Sequence, residues 1–317
     1  MATGAAVSVR RTPVALARYA WGVVGYNILV VLWGAVVRAT GSGAGCGDNW
    51  PLCNGDFFPH HPRLATVIEF AHRSTTVVAT ALVIGLVVWT FYAVKRGDRA
   101  RRAAVASILF LVLEALLGAV LVLGGYVKNN ISNARVVMQS IHFTNTMLLL
   151  GSLALTAWWL GDSRRGISGR SDRRVAGPAW LAVIATLVMG ATGSLAALAD
   201  TLFPSPSVWS GMMSDFAAGS PLLVRMRWMH PATVLVGACC VLWLVVRVRS
   251  RLGRLVGWLL ALQFLLGVMD VLLLAPTWMQ VLHLLGADLY WVALVCLAAE
   301  ALWGRQAGAR MEDPLRL

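Results

Sequence analysis

The chain has 317 residues, of which 58% are hydrophobic and only 13% charged, with a formal net charge of +13 at pH 7; its mean hydropathy is +0.72. That composition excludes an ordinary water-soluble domain. The basic excess does not point to nucleic acid, because it falls in the tails and in alternate interhelical loops rather than along one continuous surface.

Eight apolar segments follow one another at residues 19–38, 65–94, 103–124, 134–160, 175–197, 223–247, 252–274 and 277–302. Each approaches or exceeds the roughly 20 residues that a helix needs to cross a bilayer. They are too long and too evenly apolar for barrel strands, so the predicted fold class is all-α integral membrane. Arg10, Arg11 and Arg18 precede the first span. Lys95, Arg96, Arg99, Arg101 and Arg102 lie between spans two and three, and Arg164, Arg165, Arg170, Arg173 and Arg174 between four and five. Arg247, Arg249, Arg251 and Arg254 lie between six and seven, and Arg305, Arg310 and Arg316 follow the last span. This positive-inside pattern predicts a multi-pass cell-membrane (plasma-membrane) protein with both termini cytoplasmic and anionic lipid headgroups as partners on that face. The first apolar segment is long enough to span and lacks a small-residue cleavage site, so it reads as a retained helix and not a cleaved signal.

With that topology the segments 39–64, 125–133, 198–222 and 275–276 face outward. The first of them runs from Gly41-Ser42-Gly43 through Cys46, Trp50-Pro51-Leu52 and Cys53 to Gly55. Cys46 and Cys53 are the two of the five cysteines that fall in a loop, on the oxidising side, where a disulfide is expected. It would close a small ring and contribute roughly 2–3 kcal/mol. The spacing leaves two roles open, a structural staple and a pair that exchanges reducing equivalents at the outer face. Cys239, Cys240 and Cys296 read as small apolar side chains within spans, and His60 and His61 as solvated loop residues.

His72, His142, His230 and His283 each fall some six to eight residues into an even-numbered span. That puts all four roughly 9–12 Å below the outer helix ends, at one depth. An imidazole in a span is costly and needs a partner. The four recur in an internal repeat. Met138-Gln139-x-x-His142 matches Met279-Gln280-x-x-His283, and Glu69-Phe70-Ala71-His72 lines up with Arg227-Trp228-Met229-His230, each with a Thr three residues on (Thr75, Thr233). Glu114-x-x-x-Gly118 likewise matches Gln263-x-x-x-Gly267. Two halves, 1–165 and 166–317, are therefore expected to form tandem four-helix bundles related by a pseudo-two-fold axis along the membrane normal. Two imidazole pairs at equal depth suit two haem irons; interhelical hydrogen bonding is the plainer role. A structural zinc site wants four clustered ligands.

Among the acids, Glu69 stands one helical turn before His72 and on its face, a candidate to move a proton, hold a water or orient the imidazole. An ion pair with Arg73, Arg38 or another base near the outer surface is the competing role. Glu114, Asp270 and Asp288 are intramembrane; the alignment of Glu114 with Gln263 suggests polar packing.

On the glycine–cysteine loop, Glu69-x-x-His72-Arg73 and the other three helix histidines, the chain resembles the haem A synthase family, over nearly all eight helices. The resemblance implies oxidation of the methyl at porphyrin carbon 8 of haem O to a formyl group by successive hydroxylations, for delivery of haem A to cytochrome oxidase. It implies that His72 and His142 face the substrate haem iron, that His230 and His283 ligate a haem b cofactor, that Glu69, the catalytic candidate, sits beside the substrate site, and that Cys46 and Cys53 are the family's cysteine pair. Haem O synthase, the cytochrome oxidase assembly machinery and a quinone or other electron acceptor are the implied partners. Two departures stand out. No second cysteine pair occurs between Asp200 and Arg227, and Pro231 follows His230 where an arginine is common. A di-haem cytochrome b carrying electrons, or a haem-handling assembly protein without turnover, would need the histidines but not Glu69.

Overall fold

A computed structural model describes residues 13–162 and 173–303. Arg10, Arg11, Arg164, Arg165, Arg170, Arg305, Arg310 and Arg316, used above for orientation, lie outside the described residues. The described chain is helical: α1 Val14–Ala39, α2 Leu64–Ala93, α3 Arg99–Leu123, α4 Asn133–Asp162, α5 Arg173–Leu202, α6 Val208–Phe216, α7 Leu222–Arg225, α8 Met229–Val248, α9 Arg251–Leu272 and α10 Thr277–Trp303. Eight spans are long and apolar enough to cross a membrane, α7 and α8 together making one of them. Short polar caps start several elements. Asp98 accepts from the Ala100 amide at 2.8 Å, and Ser250 accepts from the Gly253 amide at 3.0 Å.

Two expectations need correction. The sixth span, predicted as one helix over 223–247, is broken. α7 ends at Arg225, and the Met229 and His230 amides bond three residues back, to Met226 and Arg227 carbonyls. Pro231 is the cause. It has no amide to give the Arg227 carbonyl, and its ring would collide with that carbonyl in a continuous helix. The segment 198–222 is also not a plain loop. α5 continues to Leu202, and α6 occupies 208–216, capped by the Ser207 hydroxyl accepting from the Ser210 amide at 3.2 Å.

The helices pack in two closed cycles. α1 touches α2, α2 touches α3, α3 touches α4 and α4 returns to α1; α5, α8, α9 and α10 do the same. The cycles meet along α1, α4, α5 and α10, with α4 against both α5 and α10. α4 and α10 are the most buried spans, and α8 and α9 the least. At the centre the Trp291 indole donates to the Met147 carbonyl at 2.7 Å and lies over Gly151, where a Cβ would stand 3.3 Å from the ring. Outward-facing Val77, Val78, Leu109, Leu116, Leu235, Val236, Phe264 and Leu265 are exposed. So wide an apolar exterior is a lipid-facing surface.

The ends that carry the cysteine loop gather on one face. Val127, after α3, lies 3.3 Å from the point where a Cβ at Gly43 would stand. Arg38 of α1 donates to the Ala197 carbonyl at 2.7 Å, to Thr201 Oγ1 at 2.8 Å and to Gln280 Oε1 at 2.8 Å, so one guanidinium ties the first cycle to α5 and α10 of the second.

Candidate functional site

All four helix histidines are half-buried, and they form two pairs. His72 on α2 and His142 on α4 are close enough to interact electrostatically, as are His230 on α8 and His283 on α10. Three of the rings lie against a bare glycine of the neighbouring helix. His72 Cε1 is 3.2 Å from where a Cβ at Gly34 would be, His230 Cε1 is 2.9 Å from that point at Gly193, and His283 Cε1 is 3.3 Å from that point at Gly267. Any side chain there would press on the imidazole, so these glycines fix how closely the helix backbones approach the rings. The fourth site differs: nothing lies within 4 Å of the same point at Gly118.

The Nδ1 atoms of His72, His142 and His283 are buried without a hydrogen-bond partner. His230 is the exception: its ring bonds the backbone at Met189, and its Nδ1 makes a long approach to Thr192 Oγ1 at 3.5 Å. Buried imidazoles left this way are costly unless something further occupies the site. The aligned threonines behave alike: Thr75 donates to the His72 carbonyl at 2.7 Å and Thr233 to the His230 carbonyl at 2.9 Å. Among the described residues no group of three or more His, Cys, Asp or Glu could hold a metal ion. Each pair could lend two imidazole nitrogens to a metal carried within a larger cofactor, whereas a structural zinc site wants four clustered ligands.

Cys46 and Cys53 are joined in a disulfide and are 0% and 2% exposed. Glu69 holds this loop. Its Oε2 accepts from the Cys46 amide at 2.8 Å, and its Oε1 pairs with Arg73. Arg73 in turn donates to the carbonyls of Asn49 and Leu52, each at 2.7 Å, and of Pro51 at 3.4 Å. Thr66 adds a bond to the Gly45 carbonyl at 2.7 Å. Of the two bases named for Glu69, Arg73 is the partner; Arg38 is spent on α5 and α10. His60 and His61 are exposed, as expected. Cys296 is buried, Cys240 partly so, and Cys239 faces the exterior of α8.

The other half secures its loop without cysteine. Arg227, at the repeat position of Glu69, donates to Asp215 Oδ1 and Asp200 Oδ1, both at 2.8 Å, and to the Gly211 carbonyl and Ser214 Oγ, both at 3.1 Å. α6 is thereby pinned to the ends of α5 and α8. The charge is inverted between the halves at one position: acid before His72, base before His230. The repeat register carries that signal, yet Arg227 and its carboxylates do not read as a cluster, because Asp200 and Asp215 lie far apart in sequence. Glu114 does more than the polar packing expected of it. Its carboxylate accepts from Asn145 Nδ2 at 2.6 Å and from the Thr146 hydroxyl, and stands 3.7 Å from His142 Nδ1. Asp270 and Asp288 each keep one buried carboxyl oxygen without a partner.

Residues 17–295 match the family model described as cytochrome oxidase assembly protein, COX15-CtaA. A protein of Thermus thermophilus named protoheme IX farnesyltransferase is 43% identical over 296 residues, covering 90% of this chain and 48% of that protein. A heme A synthase of Bacillus mycoides is 29% identical over 274 residues, 81% of this chain and 83% of that protein. One of Bacillus pumilus is 39% identical over 140 residues, 44% of this chain and 42% of that protein. The chain thus spans about half the length of the Thermus relative.

Proposed function

Because the chain belongs to the COX15-CtaA family of cytochrome oxidase assembly proteins, we propose that it is a haem A synthase, an oxidoreductase that converts the carbon 8 methyl of haem O to a formyl group by successive hydroxylations. The observation that carries this reading is the pairing of His72 with His142 and of His230 with His283 at matching places of a repeated helix cycle, with the Nδ1 atoms of His72, His142 and His283 buried without protein partners. We assign His72 and His142 to the substrate haem and His230 and His283 to a haem b cofactor. The contacts between the cycles support a pseudo-two-fold along the membrane normal: exchanging α1 with α5 and α4 with α10 maps the α1–α10 contact onto α4–α5 and leaves α4–α10 and α1–α5 unchanged. Arginine distribution supports cytoplasmic termini in the plasma membrane, so that the cysteine loop faces outward.

Bound haem supplies the redox chemistry. The chain's residues do the rest. The imidazoles fix the substrate's iron and hence where its ring edge lies. Glu69, three residues before His72, holds the Cys46 amide and Arg73 over the same end of α2 and would take or return protons there. The Thermus relative, named for farnesyl transfer to protohaem and about twice the matched length, supports a haem O-producing enzyme as the neighbour that hands over substrate; a quinone-class acceptor suits the removal of electrons.

The second reading, a di-haem electron carrier, draws on one observation: the Glu69 carboxylate is fully engaged in holding the loop. Co-expression with a haem O producer under aerobic conditions, followed by extraction and chromatography of the haems, separates the two. A synthase yields formyl-bearing haem; a carrier leaves haem O unchanged.

The glycine cradles give an internal control. Gly193→Ala places a methyl 2.9 Å from His230 Cε1, closer than a Cβ normally approaches, whereas Gly118→Ala meets nothing within 4 Å. We expect Gly193→Ala to reduce haem b retained per chain several-fold, and Gly118→Ala to leave it at the wild-type level, as read by pyridine haemochrome assay.

A further inference from the structure

The two imidazole pairs are not chemically equal, and the difference is concentrated around one carboxylate. Glu114 on α3 occupies the repeat position of Gln263 on α9. Its two oxygens are held by donors from α4: Oε2 accepts from Asn145 Nδ2 at 2.6 Å and Oε1 accepts from the Thr146 hydroxyl. Thr146 also reaches the His142 carbonyl at 3.0 Å, and Asn145 Nδ2 the Phe110 carbonyl at 2.9 Å, so the carboxylate, both donors and the histidine turn form one connected set. Glu114 Oε1 then stands 3.7 Å from His142 Nδ1, which has no hydrogen-bond partner of its own.

In the other half every one of these groups is replaced. Three residues after His283 stands Gly286, where His142 has Asn145; four after stands Ala287, where His142 has Thr146. Gln263 packs its amide nitrogen against Gly286, and that nitrogen is buried without an acceptor. A carboxylate acceptor faces one histidine turn, and an amide donor faces the other.

We propose that Glu114 is a positioning residue for His142, orienting its ring through Nδ1 and strengthening it as a ligand, so that the iron of the first pair is the more easily oxidised of the two. The proposal rests on the reading of His142 as an iron ligand. When Nε2 faces a metal, Nδ1 carries the proton and becomes a donor, and a buried donor requires an acceptor. The present separation exceeds a hydrogen bond, and a shift of about 1 Å closes it. A carboxylate behind a ligating imidazole fixes its tautomer and raises its basicity, and a stronger donor favours the ferric state and lowers the reduction potential. The second pair has no such carboxylate: its rings meet glycines at Gly193 and Gly267, and the polar groups at His230 are the neutral Met189 backbone and the Thr192 hydroxyl.

The test is a redox titration of the purified full-length protein loaded with both haems, followed by absorption and electron paramagnetic resonance. In Glu114→Gln, one of the two midpoint potentials is expected to shift positive while the other stays. In Gln263→Glu, the other is expected to shift negative. Two unmoved midpoints in Glu114→Gln with both haems retained overturn the proposal. Should Glu114→Gln lose its haem, Thr146→Val, which frees the carboxylate without removing it, is titrated instead, and an unmoved first midpoint there overturns it equally. A wild-type protein that binds no haem would instead strike at the assignment of the histidines.

Discussion

Replacing His142 with alanine is expected to abolish formyl-haem formation, by at least about a hundred-fold, while leaving one low-spin haem in the protein. On the proposed assignment, the substitution removes a nitrogen that would fix the substrate's iron, a larger insult than the 10–100-fold cost typical of outer-shell changes at metal sites. The second haem should survive, because His230 and His283, its proposed ligands, sit in a separate helix cycle, α5 with α8, α9 and α10. The reciprocal variant, His283→Ala, should instead remove the haem b spectrum. Chromatography of extracted haems and absorption of the purified variants check both. Loss of both haems from either variant would mean that the pairs are not independent sites.

Glu69→Ala is expected to destabilise the protein by roughly 3–5 kcal/mol, because it leaves one partner of a buried ion pair alone. The side chains of Glu69 and Arg73 are 4% and 14% exposed, so solvent can do little to compensate. The Cys46 amide would lose its acceptor, while Arg73 would keep its bonds to Asn49, Pro51 and Leu52 carbonyls. The cysteine loop should therefore loosen, and its disulfide, 0% and 2% exposed in the folded chain, should be reduced faster by added thiol. Glu69→Gln separates anchoring from chemistry. It keeps an acceptor for the Cys46 amide and gives up the charge. If Glu69 only anchors the loop, haem A output should fall no further than the thermal midpoint in detergent accounts for. If it also moves protons, output should collapse while the loop stays protected from thiol.

Much of this is legible in the residues because bilayer spans are written in long, uniform apolar runs. All eight spans emerge within a few residues of their sequence limits except at two places, and both have local causes. Pro231 breaks the sixth span into α7 and α8, which the dipeptide His230-Pro231 could have announced. α6 is hidden because a nine-residue amphipathic helix looks like loop beside twenty-residue spans. The histidine pairs are visible through the repeat, which brings His142 and His283 into register by their shared Met-Gln motif. That motif nevertheless behaves differently in the two halves: Gln280 takes the Arg38 guanidinium and donates to the Ala275 carbonyl at 2.7 Å. Long-range polar partners stay hidden. Nothing in a linear reading joins Arg38 to Thr201, or Arg227 to both Asp200 and Asp215, since such bonds depend on which helix ends meet. In this loop, which has no second cysteine pair, three polar contacts from Arg227 hold α6 and a fourth ties it to α5.

The central claim is that paired imidazoles in each helix cycle grip porphyrin iron. Absorption and electron paramagnetic resonance of the protein purified from cells that make haem O test it most directly. The expected result is two low-spin haem signals of bis-imidazole type, one lost in His142→Ala and the other in His283→Ala; purified wild-type protein devoid of tetrapyrrole, or spectra that survive both substitutions, would contradict it.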